Sequence, residues 1–434
     1  MQAIAAYGIS CAVAYLLLVR LLRHRRINST VGRHLLANPI RNGATGQNPA
    51  DYQMTPAEAQ QIIRVSALWD APFVVEKSLE FALFKTYGIE TISKILYKTG
   101  QLGQEKNATR RYADTAILIQ TWVHAPMTGP GSGLDKLPEG ADPRGAIAIA
   151  RTNWLHSKYP ISNDDFLYTL ALFIIEPAVW MEKYEWRGLT PLERQAFFVF
   201  WAEVGRRMNI QNIPETLEDL IEWSEEYERT YMLPSPINKS VAEQTVNMLL
   251  HHVPPLAKSI GKQAVAALCP ERLRLSMMEP EPPAWVSNVV IAALNIRKMF
   301  VRHLCLPRLK PREFIPGDTS GFSQGQVCPM GVSVCPVSSK GYQSGELEYR
   351  LHPFYYNNDP WYMPTPSFAE RVSIQVLSML GLYNPKAIHG PRFKPEGYRT
   401  EEIGPISFER SGRDEVRANA EAIYGGKITG PWAF

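Results

Sequence analysis

Residues Ala3 to Val19 form an almost unbroken apolar run in which Ser10 is the only ordinary polar residue. Leu21 and Leu22 extend it past Arg20, giving about seventeen to twenty residues, the lower end of what crosses a hydrocarbon core. No charged side chain precedes the run, whereas Arg20, Arg23, His24, Arg25 and Arg26 follow it. A cleaved signal peptide has the reverse order, with positive charge first and a small-residue cleavage site last. The pattern predicts an uncleaved N-terminal anchor, with the chain beyond residue 26 on the cytosolic side by the positive-inside rule. The endoplasmic reticulum is the expected membrane, and the mitochondrial outer membrane is the alternative for so short an anchor with basic flanks.

The 434-residue chain is 45% hydrophobic overall, enough to bury a large core. Its 46 basic and 42 acidic residues nearly balance, and no basic tract is interleaved with aromatics, which argues against nucleic acid as a partner. Five cysteines, at 11, 269, 305, 328 and 335, make no disulfide framework and suit a reducing, cytosol-facing body. Cys328 and Cys335 have neither C-x-x-C spacing nor nearby histidines, so a zinc site is not expected there.

Helix signals dominate. Thr55-Pro56-Ala57-Glu58 and Thr190-Pro191-Leu192-Glu193 are capping boxes, opening helices to about Trp69 and through Met208. Pro72 opens another, Gly88 breaks it, and Ile89 to Thr99 resumes; Ala108 to Val123 is helical again. Phe166 to Met181 is apolar nearly all round and should be central, with an interruption at Glu176-Pro177. Pro214 to Tyr231, with seven acidic residues, reads as a solvated helix face. Ser240 to His252, Ile260 to Met278 and Ala284 to Leu304 follow. The last is amphipathic, and its sequence leaves packing on the core and lying in a membrane interface both open. Asn28 to Tyr52 reads as a linker, and Pro307 to Pro366 as an extended wrap or disordered segment. Helices are expected at Ser367 to Leu382 and about Asp414 to Tyr424, with a turn-like tail from Pro395 between them. The expected fold class is all-α: one large helical bundle with an N-terminal transmembrane anchor and an irregular Pro/Gly-rich C-terminal extension. The divisions are 1–26 (anchor), 27–64 (linker and first helix), 65–305 (helical body) and 306–434 (extension).

The candidate chemistry centres on Arg144 to Tyr159, RGAIAIARTNWLHSKY, between Pro143 and Pro160. Thr152 and His156 are four apart and share a helix face, with Ala148 and Gly145 one and two turns back. Small residues there leave room for something flat against the backbone. Spacing alone allows a core histidine bonded to the Thr152 hydroxyl, or a metal or haem ligand. Arg111 and Thr115 likewise share a face, and Arg111 is either a surface or ion-paired residue or turns inward to a buried carboxylate. His251 and His252 are rival ligands, but adjacent helical residues point about 100° apart, so both cannot readily serve one metal. The Pro126 to Asp142 loop is long enough to border a site. No P-loop, dinucleotide-binding glycine pattern, H-E-x-x-H or G-x-S-x-G is present, and no cysteine has a haem-thiolate context.

Arg111-x-x-x-Thr115, Arg151-Thr152-x-x-Leu155-His156-Ser157 and Asp165-x-Leu167-Tyr168-Thr169-Leu170, in that order, resemble the mpaB/rubber-oxygenase catalytic domain family. These are helical haem b proteins that include bacterial latex-clearing enzymes. Glu185-Trp186-Arg187, Leu189-Thr190 with Glu193, Phe200-Trp201 with Gly205, and Pro270-x-Arg272-Leu273-Arg274 continue the likeness over about residues 65 to 305. The Phe84 to Ser93 and Gly397 to Pro405 stretches are most similar to the fungal, reticulum-bound mpaB branch. The resemblance implies haem b iron on His156, and Arg111 and Thr115 as catalytic residues beside it. It also places Thr152 and Arg151 in the cofactor pocket, with the second His156 nitrogen held by a carbonyl or carboxylate. Rubber-cleaving members carry a lysine just before the threonine where this chain has Asp114, so the iron's distal side differs here. The implied reaction is oxidative cleavage of a C=C bond by O₂ in the farnesyl-type chain of a fungal meroterpenoid. A non-catalytic membrane-tethered haem- or lipid-binding protein and a haem hydroxylase are the competing expectations; oligomeric state is not readable.

Overall fold

The computed structural model describes residues 2–40, 45–100, 105–251, 253–316, 350–355, 359–379, 388, 390 and 392–434. Among them it contains helices and one isolated antiparallel bridge, Leu351 to Tyr398. Helix α1 (Gln2–Arg23) projects from the body; every described side chain up to Leu18 is exposed and Val19 is the first to be buried. Helix α2 (Arg25–Ala37) replaces the expected start of the linker. Its buried Ile27, Thr30 and His34 recur at helical spacing, a periodicity that the surrounding Asn, Gly and Thr masked.

Helix α3 (Pro56–Arg64) begins at the Thr55–Glu58 capping box, as the sequence predicts, but ends five residues before Trp69 in a widened turn over Val65–Asp70. There the Ala71 amide donates to the Ser66 carbonyl, 2.9 Å, five residues back. Helices α4 (Pro72–Thr86), α5 (Glu90–Lys98) and α6 (Glu105–His124) follow. The last carbonyls of α6 are satisfied by α3: Gln60 Nε2 donates to Trp122 at 2.9 Å and to Ala125 at 2.7 Å, and Arg64 Nε to Val123 at 2.9 Å.

Helix α7 (Arg144–His156) ends at His156, three residues short of the expected Tyr159. Helix α8 (Asn163–Tyr184) runs straight through Pro177, where the sequence predicts an interruption. Burial of Leu170 to Ile174 and Met181 against α4 outweighs the one backbone hydrogen bond that proline forfeits. Helix α9 (Pro191–Arg207) starts at the second capping box, in which the Glu193 carboxylate accepts from the Thr190 amide at 2.9 Å. Helices α10 (Leu217–Tyr231) and α11 (Pro236–Leu249) close the bundle. The single helix expected over Ile260 to Met278 is two, α12 (Lys258–Leu268) and α13 (Glu271–Ser276), because Pro270 has no N–H to continue the ladder. Helix α14 (Ala284–Leu304) has the expected bounds, and α15 (Phe368–Met379) and α16 (Arg413–Tyr424) lie in the extension.

The extension from residue 392 onward is not a loose appendage. Val416, Ala420 and Tyr424 of α16 pack into Ala146, Ile147 and Ala150 of α7 as a second core. Gly412 has φ +76°, and a Cβ there would collide with the Trp154 ring, so only glycine lets the strap lie this close. Most of the expected 307–366 wrap, Cys328, Cys335 and His252 lie outside the described residues.

The Glu185-Trp186-Arg187 motif ties the ends of the bundle together. Arg187 binds Asp70 at 2.8 Å and Glu193 at 2.7 Å, both fully or nearly buried, while Ser66 Oγ donates to Glu193 at 3.0 Å. Trp186 packs against Arg23 and His24, where α1 meets α2, and Glu185 pairs with Arg297 of α14 at 3.1 Å.

Candidate active site

A cavity of about 250 Å³ opens between α5, α6, α7 and α8, with Trp201 of α9 and Gly404 and Pro405 of the extension completing its wall. Leu96, Leu118, Ile119, Phe166, Leu170 and Phe173 make most of that wall apolar. The sequence brings them together because α8 is apolar on both sides and α5 and α6 each turn one apolar face inward.

Arg111, Thr115, Thr152 and His156, all candidates from the sequence, line this cavity. The fourth turn of α7 delivers His156, whose ring packs against Phe166 with centroids 5.3 Å apart. Burial, and then the positive charge of Arg111, push the His156 imidazole down to about 3, so it is neutral across the physiological range. Its Nδ1 is buried without a hydrogen-bond partner. The Thr152 hydroxyl does not satisfy it, donating instead to the Ala148 carbonyl at 2.9 Å. The expected carbonyl or carboxylate partner of the second ring nitrogen is absent among the described residues. The small Gly145 does not face the cavity; Ala125 Cβ lies 3.4 Å from where its own Cβ would stand.

Arg111 and Thr115 are locked to one another. The guanidinium donates to Thr115 Oγ1, which in turn donates to the Arg111 carbonyl at 2.6 Å. Arg111 has no carboxylate within 4 Å among the described residues, so its charge is held at the cavity wall by a neutral hydroxyl alone. Arg151 is placed elsewhere. Its guanidinium turns away from the cavity and donates to the carbonyls of Ile403 (2.8 Å), Phe408 (2.7 Å) and Ser411 (2.8 Å). It clamps the extension onto α7 and does not reach the pocket.

Two carboxylates reach the wall. Asp165 accepts from Thr91 at 2.7 Å and from Tyr227 at 2.9 Å. Asp114 accepts from the Tyr362 hydroxyl at 2.5 Å, with Arg110 at 3.7 Å. Burial pushes its carboxyl up from 3.8 to about 6 despite both partners. Tyr362 reaches it from a left-handed backbone, φ +63°, which costs about 1 kcal/mol for a non-glycine residue. Tyr362 and Gly404 are the site residues that sequence reasoning missed; the pairing spans 248 residues of chain and leaves no local pattern.

The Asp114 shift has a measurable consequence. Between about pH 4 and 6 the folded chain keeps a proton that the unfolded chain has lost, so stability falls as pH rises through that window. Asp114→Asn should remove that part of the fall, on the order of 2 kcal/mol, from denaturation midpoints measured at pH 4 and pH 7. Identical pH dependence in both proteins would refute the assignment.

Of the rival histidines, His251 lies apart from the cavity. His251 stands 3.7 Å from Asp359. His124 is buried, pushed down to about 3 and unpartnered at Nε2, but it caps the far end of α6, off the cavity wall.

Residues 103–293 match the family described as ER-bound oxygenase mpaB/B'/Rubber oxygenase, catalytic domain. ER-bound oxygenase mpaB' of Penicillium brevicompactum is 31% identical over 423 residues, covering 93% of this chain and 89% of that protein. ER-bound oxygenase mpaB of Penicillium roqueforti (strain FM164) is 34% identical over 292 residues, 64% of this chain and 91% of that protein. The mpaB of Penicillium brevicompactum is 33% identical over 312 residues, 68% of each chain. The match runs through the helices that build the cavity, and on it the chain belongs to the ER-bound oxygenase mpaB/B'/rubber oxygenase family of oxidoreductases.

Proposed function

We propose that this oxygenase binds haem b in the α5–α8 cavity and cleaves a C=C bond in the prenyl chain of a small hydrophobic substrate. The observation that carries the reading is His156: a neutral imidazole with an unpartnered, buried nitrogen on the wall of an apolar cavity. Iron is a fitting partner, because a neutral imidazole offers its lone pair without first losing a proton. When bound, haem supplies the activation of O₂ that side chains alone lack.

The chain's own residues account for the rest. Arg111 presents a guanidinium with no carboxylate partner, suited to a haem propionate, and Thr115 fixes its direction. Leu118, Ile119, Phe166 and Phe173 exclude water and would seat an isoprenoid chain by apolar contact. Asp114 and Tyr362 form a hydrogen-bonded pair at the wall that can hold a proton near neutral pH. In the overall reaction O₂ adds across the alkene and the C=C bond is replaced by two C=O ends. A farnesyl-type chain on a fungal secondary metabolite suits both the apolar wall and the relatives, which are named as reticulum-bound. We assign α1 as a single-pass anchor in the endoplasmic reticulum membrane, with the oxygenase body in the cytosol.

The test is incubation of the haem-loaded protein with a farnesylated aromatic compound, with and without O₂. Oxygen-dependent shortening of the chain with carbonyl products supports the reading. A hydroxylated, full-length chain would point to the hydroxylase alternative, and no product to a binding protein. Arg111→Ala should weaken haem retention about ten- to a hundred-fold, the worth of one or two charge-assisted hydrogen bonds, while the His156-dependent absorption persists. Unchanged retention on dilution would remove Arg111 from the propionate role.

A further inference from the structure

Helix α14 lies beside the anchor with a continuous apolar face that the body does not cover. Val286 is its one fully buried residue. Away from the bundle Trp285 (56%), Val289 (58%), Ile296 (68%), Met299 (53%) and Phe300 (54%) are exposed, at spacings that put them on one stripe. The inner side is fixed to the bundle by polar ties: Arg297 to Glu185 at 3.1 Å, and Lys298 Nζ to the Glu182 carbonyl at 2.9 Å. The stripe therefore cannot rotate inward, and an apolar surface of this extent calls for a partner.

The geometry of α1 identifies that partner. The part of α1 that projects before Val19, Gln2 to Leu18, is about 25 Å long at 1.5 Å per residue. A bilayer's hydrocarbon core is about 30 Å thick. A spanning α1 thus has no spare length to hold the body away from the lipid, and the apolar layer must reach past Val19. Within that span, the Tyr15 hydroxyl donates to the Leu304 carbonyl at the end of α14, 2.8 Å. A residue of the anchor and the end of α14 therefore share one depth.

We propose that α14 is a second membrane element, lying in the headgroup–acyl boundary of the cytosolic leaflet with its Trp285–Phe300 stripe against the lipid chains. Arg302 and His303 at its end, and Arg308 beyond it, are exposed and suit phosphate headgroups. Arg26 of α2 holds the Arg308 carbonyl at 3.0 Å, so anchor and interfacial helix form one rigid footing. The proposal rests on α1 spanning the bilayer.

The test places a photoreactive benzoylphenylalanine singly at Leu16, Glu226, Ile296 or Phe300 of the full chain. Each protein is reconstituted into phosphatidylcholine–phosphatidylserine vesicles, and adducts are read by mass spectrometry. Lipid adducts at 296 and 300 comparable to those at Leu16, with none at Glu226 on the solvent face of α10, are expected. Adducts at Leu16 without any at 296 and 300, or protein–protein adducts there, overturn the α14 proposal and leave the anchor intact. Equal adducts at Glu226 overturn it as non-specific. No lipid adduct at Leu16 overturns the anchor and the proposal together.

Discussion

Replacing His156 with alanine is expected to give a folded chain that no longer retains haem, seen as complete loss of the Soret band from protein reconstituted in detergent. Two effects separate binding from folding here. The imidazole borders open cavity, so its removal forfeits little packing, far less than the 2 to 5 kcal/mol of truncating a close-packed core side chain. It also removes a buried nitrogen that has no hydrogen-bond partner in the cofactor-free chain. The haem-free variant should therefore unfold at or slightly above the temperature of the haem-free parent. In the loaded state the order reverses, because a ligand that binds only the native chain stabilises it. A Soret band of undiminished intensity in the variant would end the assignment of His156, and with it the haem reading of this cavity.

Arg187→Ala should be the most damaging single change to the body itself. It would leave Glu193, whose side chain is 0% exposed, without its cation, and Asp70, 4% exposed, with only the partly exposed Arg26 at 3.3 Å. Stranding one partner of a buried pair costs about 3 to 5 kcal/mol, a third or more of the 5 to 15 kcal/mol that holds a typical domain together. Both acids are also structural: Glu193 closes the α9 capping box and Asp70 ends the widened turn after α3. Denaturant midpoints of the purified variant should fall accordingly, or the protein should fail to accumulate. Removing Arg187 and Glu193 together should cost less than the sum of the single losses, since the second deletion no longer strands a charge. A loss below about 1 kcal/mol for Arg187→Ala would mean that water or a neighbour compensates the pair.

The helices were largely legible because capping boxes and 3.6-residue periodicity are local. Thr55–Glu58 and Thr190–Glu193 are both capped as read, and α14 has the bounds its sequence indicates. Misreadings occurred where tertiary packing overrode a local signal. Pro177 sits inside an unbroken α8, and α2 forms in a stretch whose composition resembles a linker. The site divides in the same way. Thr152 with His156, and Arg111 with Thr115, lie four residues apart, and the helix alone puts each pair on one face. Arg151 follows the same local rule, yet its helix position points its guanidinium at the extension. Asp114 stands out in the sequence, but its partner Tyr362 does not, since no periodicity links residues so far apart.

The clamp around Arg151 has a consequence for how the molecule comes into being. The three carbonyls that satisfy this buried guanidinium are made 252, 257 and 260 residues after it. During synthesis the helix carrying His156 must wait, its arginine hydrated and its flank bare, until the strap and α16 emerge and dock. The N-terminal bundle can assemble early, but the pocket gains its last wall only near the end of translation. Completion of the cavity is thereby a late event in the birth of the chain, ordered by topology.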